Sequence, residues 1–304
     1  MSTEQRGQQN LNLVNRTRPT YNGGDDGQKG VTPLETIQSW QTRISLKAQD
    51  KSCVFTNLMK HINTDVLHEA YNAINGKKAL GVDQISKSEY GKNLDENLKD
   101  LQVRLARGSY RPLPKKEALI PKANGKKRPI AIASFEDKIV DWCVGQILAQ
   151  VYEPLFIRNS FGYRPNKSAH GAVEACYYSL EKGLRANVIE IDFSNFFNTI
   201  PHKMLMGILE KRIGDTRFLG LVRRLLTGEI LKVSGDIVDT AIGTPQGGIA
   251  SPILANIYLN EVLDQWFIKN YGSYNNIIVR YADDGAPRAR REFRNVISLN
   301  KFCA

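Results

Sequence analysis

Asn276-Ile277-Ile278-Val279-Arg280-Tyr281-Ala282-Asp283-Asp284 is a short apolar run that ends in two adjacent carboxylates. Its β-branched residues predict a strand, and a strand that presents carboxylates at a turn is a way to hold divalent metal where a phosphoryl group is transferred. Strand alternation puts Ile277, Val279, Tyr281 and Asp283 on one face and Ile278, Arg280, Ala282 and Asp284 on the other. Asp283 is therefore the stronger metal-ligand candidate. An isolated Asp-Asp-Gly is also ordinary turn chemistry, so a second carboxylate has to decide between a turn and a site.

That carboxylate stands in Asn187-Val188-Ile189-Glu190-Ile191-Asp192-Phe193, a second β-like run ending in Asp192. Two-metal nucleotidyl transfer needs carboxylates from separate strands to hold ions about 3.5–4 Å apart, one activating the attacking 3′-hydroxyl and one steadying the leaving pyrophosphate. Asp192 and Asp283 fit those roles; Glu190 shares a strand face with Asp192 but reads equally as a solvated flank. A third element, Gly243-Thr244-Pro245-Gln246-Gly247-Gly248, leads through Ser251-Pro252 into Ile253–Asn260. Ser251 as N-cap and Pro252 at the first position predict an amphipathic helix after a glycine-rich turn. Gln246 offers an amide for a base or sugar edge.

With these elements in order, the chain resembles a bacterial group II intron-encoded reverse transcriptase/maturase, an RNA-directed DNA polymerase. The resemblance runs from about Val66 to Asp284 and adds Ile120-Pro121-Lys122 through Arg128-Pro129-Ile130, Ser134-Phe135-Glu136-Asp137-Lys138, Tyr152-Glu153-Pro154 and Ser160-Phe161-Gly162-Tyr163-Arg164-Pro165. It implies an α+β fold, a right-hand polymerase with fingers and an antiparallel palm sheet flanked by helices. It also implies catalytic Asp192, Asp283 and Asp284, with Mg2+ held by Asp192, Asp283 and the backbone carbonyl of Phe193. Lys122 and Arg128 would grip the triphosphate, Phe197 would sit under the sugar and disfavour a 2′-hydroxyl, and Gln246 would lie beside nucleotide and template. Implied partners are an RNA template with a DNA primer, dNTPs and intron RNA.

Composition agrees independently. A net charge of +11 across 304 residues favours a polyanionic partner, and basic residues concentrate in Arg107–Arg128. Cys53, Cys143, Cys176 and Cys303 lack metal or disulfide spacing. His61, His68, His170 and His202 form no ligand cluster. The polar start argues against a secretory signal, and no apolar stretch approaches ~18 residues. A cytoplasmic protein without a membrane partner is expected.

The expected organisation is a disordered polar tail (1–30), a mostly helical N-terminal extension (31–108), fingers (109–180), palm (181–284) and an atypical basic tail (285–304). Helices are predicted from Val66 to Gly76, from Leu94 to Gly108, and over Phe135–Val151, Met204–Arg212 and Phe218–Leu226, with a hairpin pairing Ala118–Pro121 and Arg128–Ala133. In the family, an apolar partner strand, a primer-gripping hairpin and a helical thumb follow the aspartates. Here the last 20 residues carry five basic residues against one acid, and Pro287 lacks a ladder donor. They read as a truncation, a frame change or a fragment whose thumb a second chain supplies, with a basic RNA-binding arm as the alternative. Without a hairpin partner, Asn276–Asp284 is expected to expose an apolar edge. Rival functional readings are another bacterial reverse transcriptase class, such as a retron or diversity-generating enzyme, and a non-catalytic RNA-binding remnant.

Overall fold

The computed structural model describes residues 39–121, 125, 127–181, 187–193, 195–272 and 276–289. The predicted polar tail, Lys122 and the basic residues beyond 289 lie outside the described residues.

Helices dominate the N-terminal part because polar caps and apolar spacing agree there. In α1 (Trp40–Ala48) the Ser39 hydroxyl accepts from the Thr42 amide, and in α2 (Thr64–Ala73) the Asn63 side chain accepts from Val66. A short turn, α3 (Lys87–Tyr90), leads to α4 (Leu94–Arg107), which buries Leu98, Leu101 and Leu105 at helical spacing. Gly108 ends α4 at φ 73°, the left-handed cap that glycine adopts without a Cβ clash. Strands β1 (Lys115–Pro121) and β2 (Lys127–Ile132) form the predicted hairpin, with Ile120 opposite Arg128. Ser134 then caps α5 (Phe135–Tyr152), which buries Ile139, Val140, Cys143, Val144, Ile147, Leu148 and Val151. A helix apolar on most sides belongs in the centre of a core, and α5 packs against both α1 and α2.

After α6 (Ala169–Glu181) come two strand fragments, β3 (Asn187–Val188) and β4 (Ile191–Asp192), and a single turn of helix, α7 (Phe196–Thr199). The periodic segments read as palm helices are α8 (His202–Glu210) and α9 (Thr216–Leu226); the Asp215 carboxylate caps α9 through the amides of Arg217 and Phe218. Short strands β5 (Ile230–Leu231) and β6 (Ile237–Val238) extend the first hairpin into a sheet of order β2-β1-β5-β6, with β1 and β5 parallel. Next, α10 (Ser251–Leu259) runs through a π turn at Asn260–Asp264 into α11 (Gln265–Tyr271). The chain closes its second sheet with β7 (Ile277–Tyr281) and β8 (Asp284–Ala289).

Several expectations are corrected. The β7 strand is not left without a partner: β8 pairs antiparallel with it from Ile277 opposite Arg288 to Tyr281 opposite Asp284, so Asp284–Ala289 is a strand of the same sheet. The other edge of β7 is covered at Arg280, whose amide donates to Asn159 O (2.9 Å) and whose carbonyl accepts from Phe161 (2.8 Å). The expected exposed edge is therefore closed there. Pro287 is accommodated at the centre of the sheet, and its missing N–H leaves a mark. Ile189 donates to Pro287 O at 3.0 Å, but the reciprocal bond of that pair cannot form. The run 187–192, read as one strand, is accordingly split into β3 and β4 opposite this proline.

Two others concern α10. Ala250, not Ser251, is its N-cap, and the Ser251 hydroxyl instead donates to Pro245 O at 2.7 Å. The helix is also not amphipathic: every residue from Ile253 to Leu259 is buried, because it passes between α5 and α8 rather than lying on the surface.

Candidate active site

The carboxylates come together at a two-residue hairpin. Tyr281 faces Asp284, and Ala282 and Asp283 form the loop between them. Only Ala282 has positive φ, 57°, the pattern of a type II′ turn, where glycine ordinarily takes the first central position. Strand alternation therefore stops at Tyr281, and the turn sets where Asp283 points. Opposite, β4 places Asp192 directly across from Asp284, a pairing that puts Cα atoms about 4.5–5.5 Å apart.

A cavity of about 700 Å³ opens beside this turn. Asp192, Asp283, Phe193, Phe197, Gln246 and Arg128 all line it. Burial, and then the neighbouring charges of Asp284 and Asp192, push the Asp283 carboxyl above the usual carboxylate range, with Arg128 acting in the opposite sense. Among the described residues none of the three carboxylates makes a salt bridge. Clustered anions without a bonded cation are suited to a divalent metal. Among the described residues, no three acidic, His or Cys side chains converge as a complete metal cage.

The opposite wall is built by the glycine-rich segment. Thr244 donates its amide to Phe197 O (2.6 Å) and Gly243 donates to Ile200 O (2.9 Å), docking the segment on α7. Gly243, at φ 90°, lies so close that a Cβ would sit 2.8 Å from the Asn198 backbone. On its far side Gln246 O accepts from Ala131 (2.7 Å), joining this wall to β2 and to Arg128. The Gln246 side-chain Oε1 is buried without a hydrogen-bond partner among the described residues, leaving an acceptor for a ligand. Phe197 packs edge-on against the buried Phe196 at 5.8 Å while still lining the cavity.

Of the residues singled out from sequence, six share this cavity. Asp284 is exposed beside it, Glu190 is exposed and outside its lining, and Lys122 lies outside the described residues. Lys127, Tyr163 and Asn198 also line it; the first two stand in stretches quoted from the sequence, but none of the three was given a role. Tyr163 sits at φ 56°, directly after Gly162, where a Cβ would come within 2.2 Å of Ala282 N. That glycine is what lets the Gly162-Tyr163-Arg164-Pro165 loop reach the carboxylate turn, and a glycine next to a large exposed aromatic was the available signal. Arg164, by contrast, is held away from any substrate by Glu153 (2.8 Å) and by the carbonyls of Ile157 and Ser160 (both 2.7 Å).

Comparison with known proteins bears on the same segment. The family "Reverse transcriptase (RNA-dependent DNA polymerase)" matches residues 120–291. The chain is 34% identical over 230 residues to the group II intron-encoded protein LtrA of Lactococcus lactis, covering 75% of this chain and 38% of that protein. It is 35% identical over 199 residues to the Escherichia coli protein YkfC, covering 64% of this chain and 52% of YkfC. A 91 kDa protein in the cob intron of Schizosaccharomyces pombe is 37% identical over 213 residues, covering 70% of this chain and 26% of that protein. The chain thus spans about half, or less, of the length of these relatives.

Proposed function

Because this chain belongs to the reverse transcriptase (RNA-dependent DNA polymerase) family, we propose that its cavity adds deoxynucleotides to a primer 3′-hydroxyl on an RNA template, as an enzyme of the group II intron type. The observation that carries the reading is the meeting of Asp192, at the end of β4, and Asp283, in the β7–β8 turn, at one cavity with Phe197 and Gln246. Names of the relatives favour the intron type over retron or diversity-generating enzymes.

In this reading Asp192, Asp283 and the Phe193 carbonyl hold divalent metal, assigned as Mg2+. When bound, it supplies activation of the attacking hydroxyl and charge stabilisation at the leaving pyrophosphate. The residues of the chain do the rest. Arg128, with Lys127 beside it and Lys122 six residues earlier in the sequence, neutralises the triphosphate. Phe197, backed by Phe196 and pinned by Thr244, presents a rigid ring to the sugar, so a 2′-hydroxyl meets a wall. Gln246 offers its free acceptor to nucleotide or template. Asp284 adds negative potential next to the ligands. Intron RNA is the further partner, and grip on primer and template beyond the cavity falls to residues outside those described or to a second chain. No helix among the described residues is long and apolar enough to cross a membrane, and Cys53, Cys143 and Cys176 are free thiols, in keeping with action in a reducing cytoplasm.

The test is primer extension on an RNA template with dNTPs and Mg2+, beside Asp192→Asn and Asp283→Asn. Extension by the parent and by neither variant supports the reading. RNA binding without extension by the parent would replace it with that of a binding remnant.

A further inference from the structure

An arginine inside an apolar strand calls for a buried partner, and Arg280 has several. Its side chain is 0% exposed, as is Asp264, and Asn256 is 1% exposed. Arg280 Nε and Nη2 donate to the Asp264 carboxylate at 2.7–3.1 Å, and Nη1 donates both to Asn256 Oδ1 and to Ala282 O, each at 2.8 Å. Asn256 Nδ2 in turn donates to Gly162 O at 2.8 Å. Both backbones that press together at the carboxylate turn, Gly162 and Ala282, are thus tied to one polar cluster.

The helix irregularity explains how this cluster is assembled. Positions eight apart on a regular α-helix lie about 80° apart around the axis, so Asn256 and Asp264 would not address one guanidinium. The wider π turn at Asn260–Asp264 brings both onto Arg280. Stability alone does not call for such an arrangement, since apolar residues of similar volume commonly serve a core as well as a buried ion pair does. What the guanidinium adds is a rigid fork that bonds three different acceptors at fixed angles. One of them is the carbonyl of the left-handed Ala282, the residue immediately before Asp283.

We infer that Arg280, Asp264 and Asn256 form a positioning device for the catalytic turn: the cluster holds Ala282 in its left-handed conformation and so fixes the direction of the Asp283 carboxylate. The inference rests on the role of Asp283 in nucleotide addition. Arg280 itself is fully buried and is not among the residues that line the cavity.

The experiment compares the parent with Arg280→Lys, which keeps the charge but not the fork, and Asn256→Ala, which leaves the ion pair intact. Three readouts are taken: thermal melting, hydrogen exchange of peptides spanning 279–285 against α5, and single-turnover incorporation over a range of dNTP concentration. The expected result is a cooperative melt, turn amides exchanging at least 10-fold faster while α5 is unchanged, and incorporation at saturation at least 10-fold slower with the dNTP concentration dependence retained. Asn256→Ala is expected to show the smaller change and remains informative if Arg280→Lys does not fold. Parental exchange at the turn in a folded variant overturns the inference, as does a uniform acceleration that includes α5. Faster turn exchange in the variants together with a parent that incorporates nothing would defeat the polymerase reading while leaving the positioning role standing.

Discussion

Replacing Gly162 by alanine adds one carbon at the closest approach between the Gly162-Tyr163-Arg164 loop and the carboxylate turn. That carbon would lie 2.2 Å from Ala282 N, 2.9 Å from Ala282 Cα and 3.0 Å from Ala282 Cβ. All three belong to a residue whose backbone is tied by Arg280, so no flexible side chain can swing aside. Ordinary contact begins near 3.4 Å, and relief therefore needs roughly 1 Å of relative movement between loop and turn. The φ of Gly162 is not positive, so the cost is steric, about 1–3 kcal/mol of overpacking strain. A misplacement of about 1 Å at reacting groups costs on the order of 100-fold in rate. Single-nucleotide incorporation at saturating dNTP, measured with a thermal melt, checks both numbers. A Gly162→Ala protein that melts like the parent and incorporates within about twofold of its rate would refute the close-approach account.

Phe197→Val should open the sugar wall and raise the use of ribonucleotides relative to deoxynucleotides by at least about 10-fold, read by competition in single-nucleotide incorporation; an unchanged ratio would remove Phe197 from that role. Leu101→Ala, deep in α4 and far from the carboxylates in sequence, should lower unfolding free energy by about 2–5 kcal/mol while incorporation per folded molecule stays at the parental level, as denaturant titration and active-site titration would report. Burial pushes the Asp141 carboxyl up, opposed by Lys115 and by the amides of Ile249 and Ala250 that it accepts. Since its folded value lies above the ordinary one near 4, the folded state holds the extra proton between the two values, and stability falls as pH rises through that window. Asp141→Asn keeps an acceptor for those amides without the titration, so its melting temperature should fall less steeply than the parent's from pH 4 upward; parallel curves would contradict this.

Much of this architecture was legible because local chemistry and tertiary context agree. The β1–β2 hairpin, α4 with its Gly108 cap, α5, α8 and α9 follow directly from apolar period, capping residues and glycine. Asp192 ends β4, as its apolar run suggests, whereas Asp283 sits in the turn after β7, so strand alternation does not set its direction. The misreadings came where a non-local partner decides. Pro287 and the arginines after it argue against a strand in isolation, yet pairing with β7 on one side and β3 and β4 on the other outweighs one missing donor. The helix after Ser251 looked amphipathic because the period of a short apolar run does not reveal that α5 and α8 cover both its sides. Arg280 was assigned only to a strand face; its partners lie 16 and 24 residues back along the chain, and the π turn that unites them has no sequence signature that periodicity can detect.

The central claim is that Asp192, at the end of β4, and Asp283, in the β7–β8 turn, share divalent metal. Mn2+ binding followed by electron paramagnetic resonance on the parent, Asp192→Asn, Asp283→Asn and the double variant tests it most directly. Shared ligation predicts that each single substitution weakens binding at least about 10-fold and that the double variant loses much less than the sum of the two. Variants that bind Mn2+ as the parent does would contradict the account.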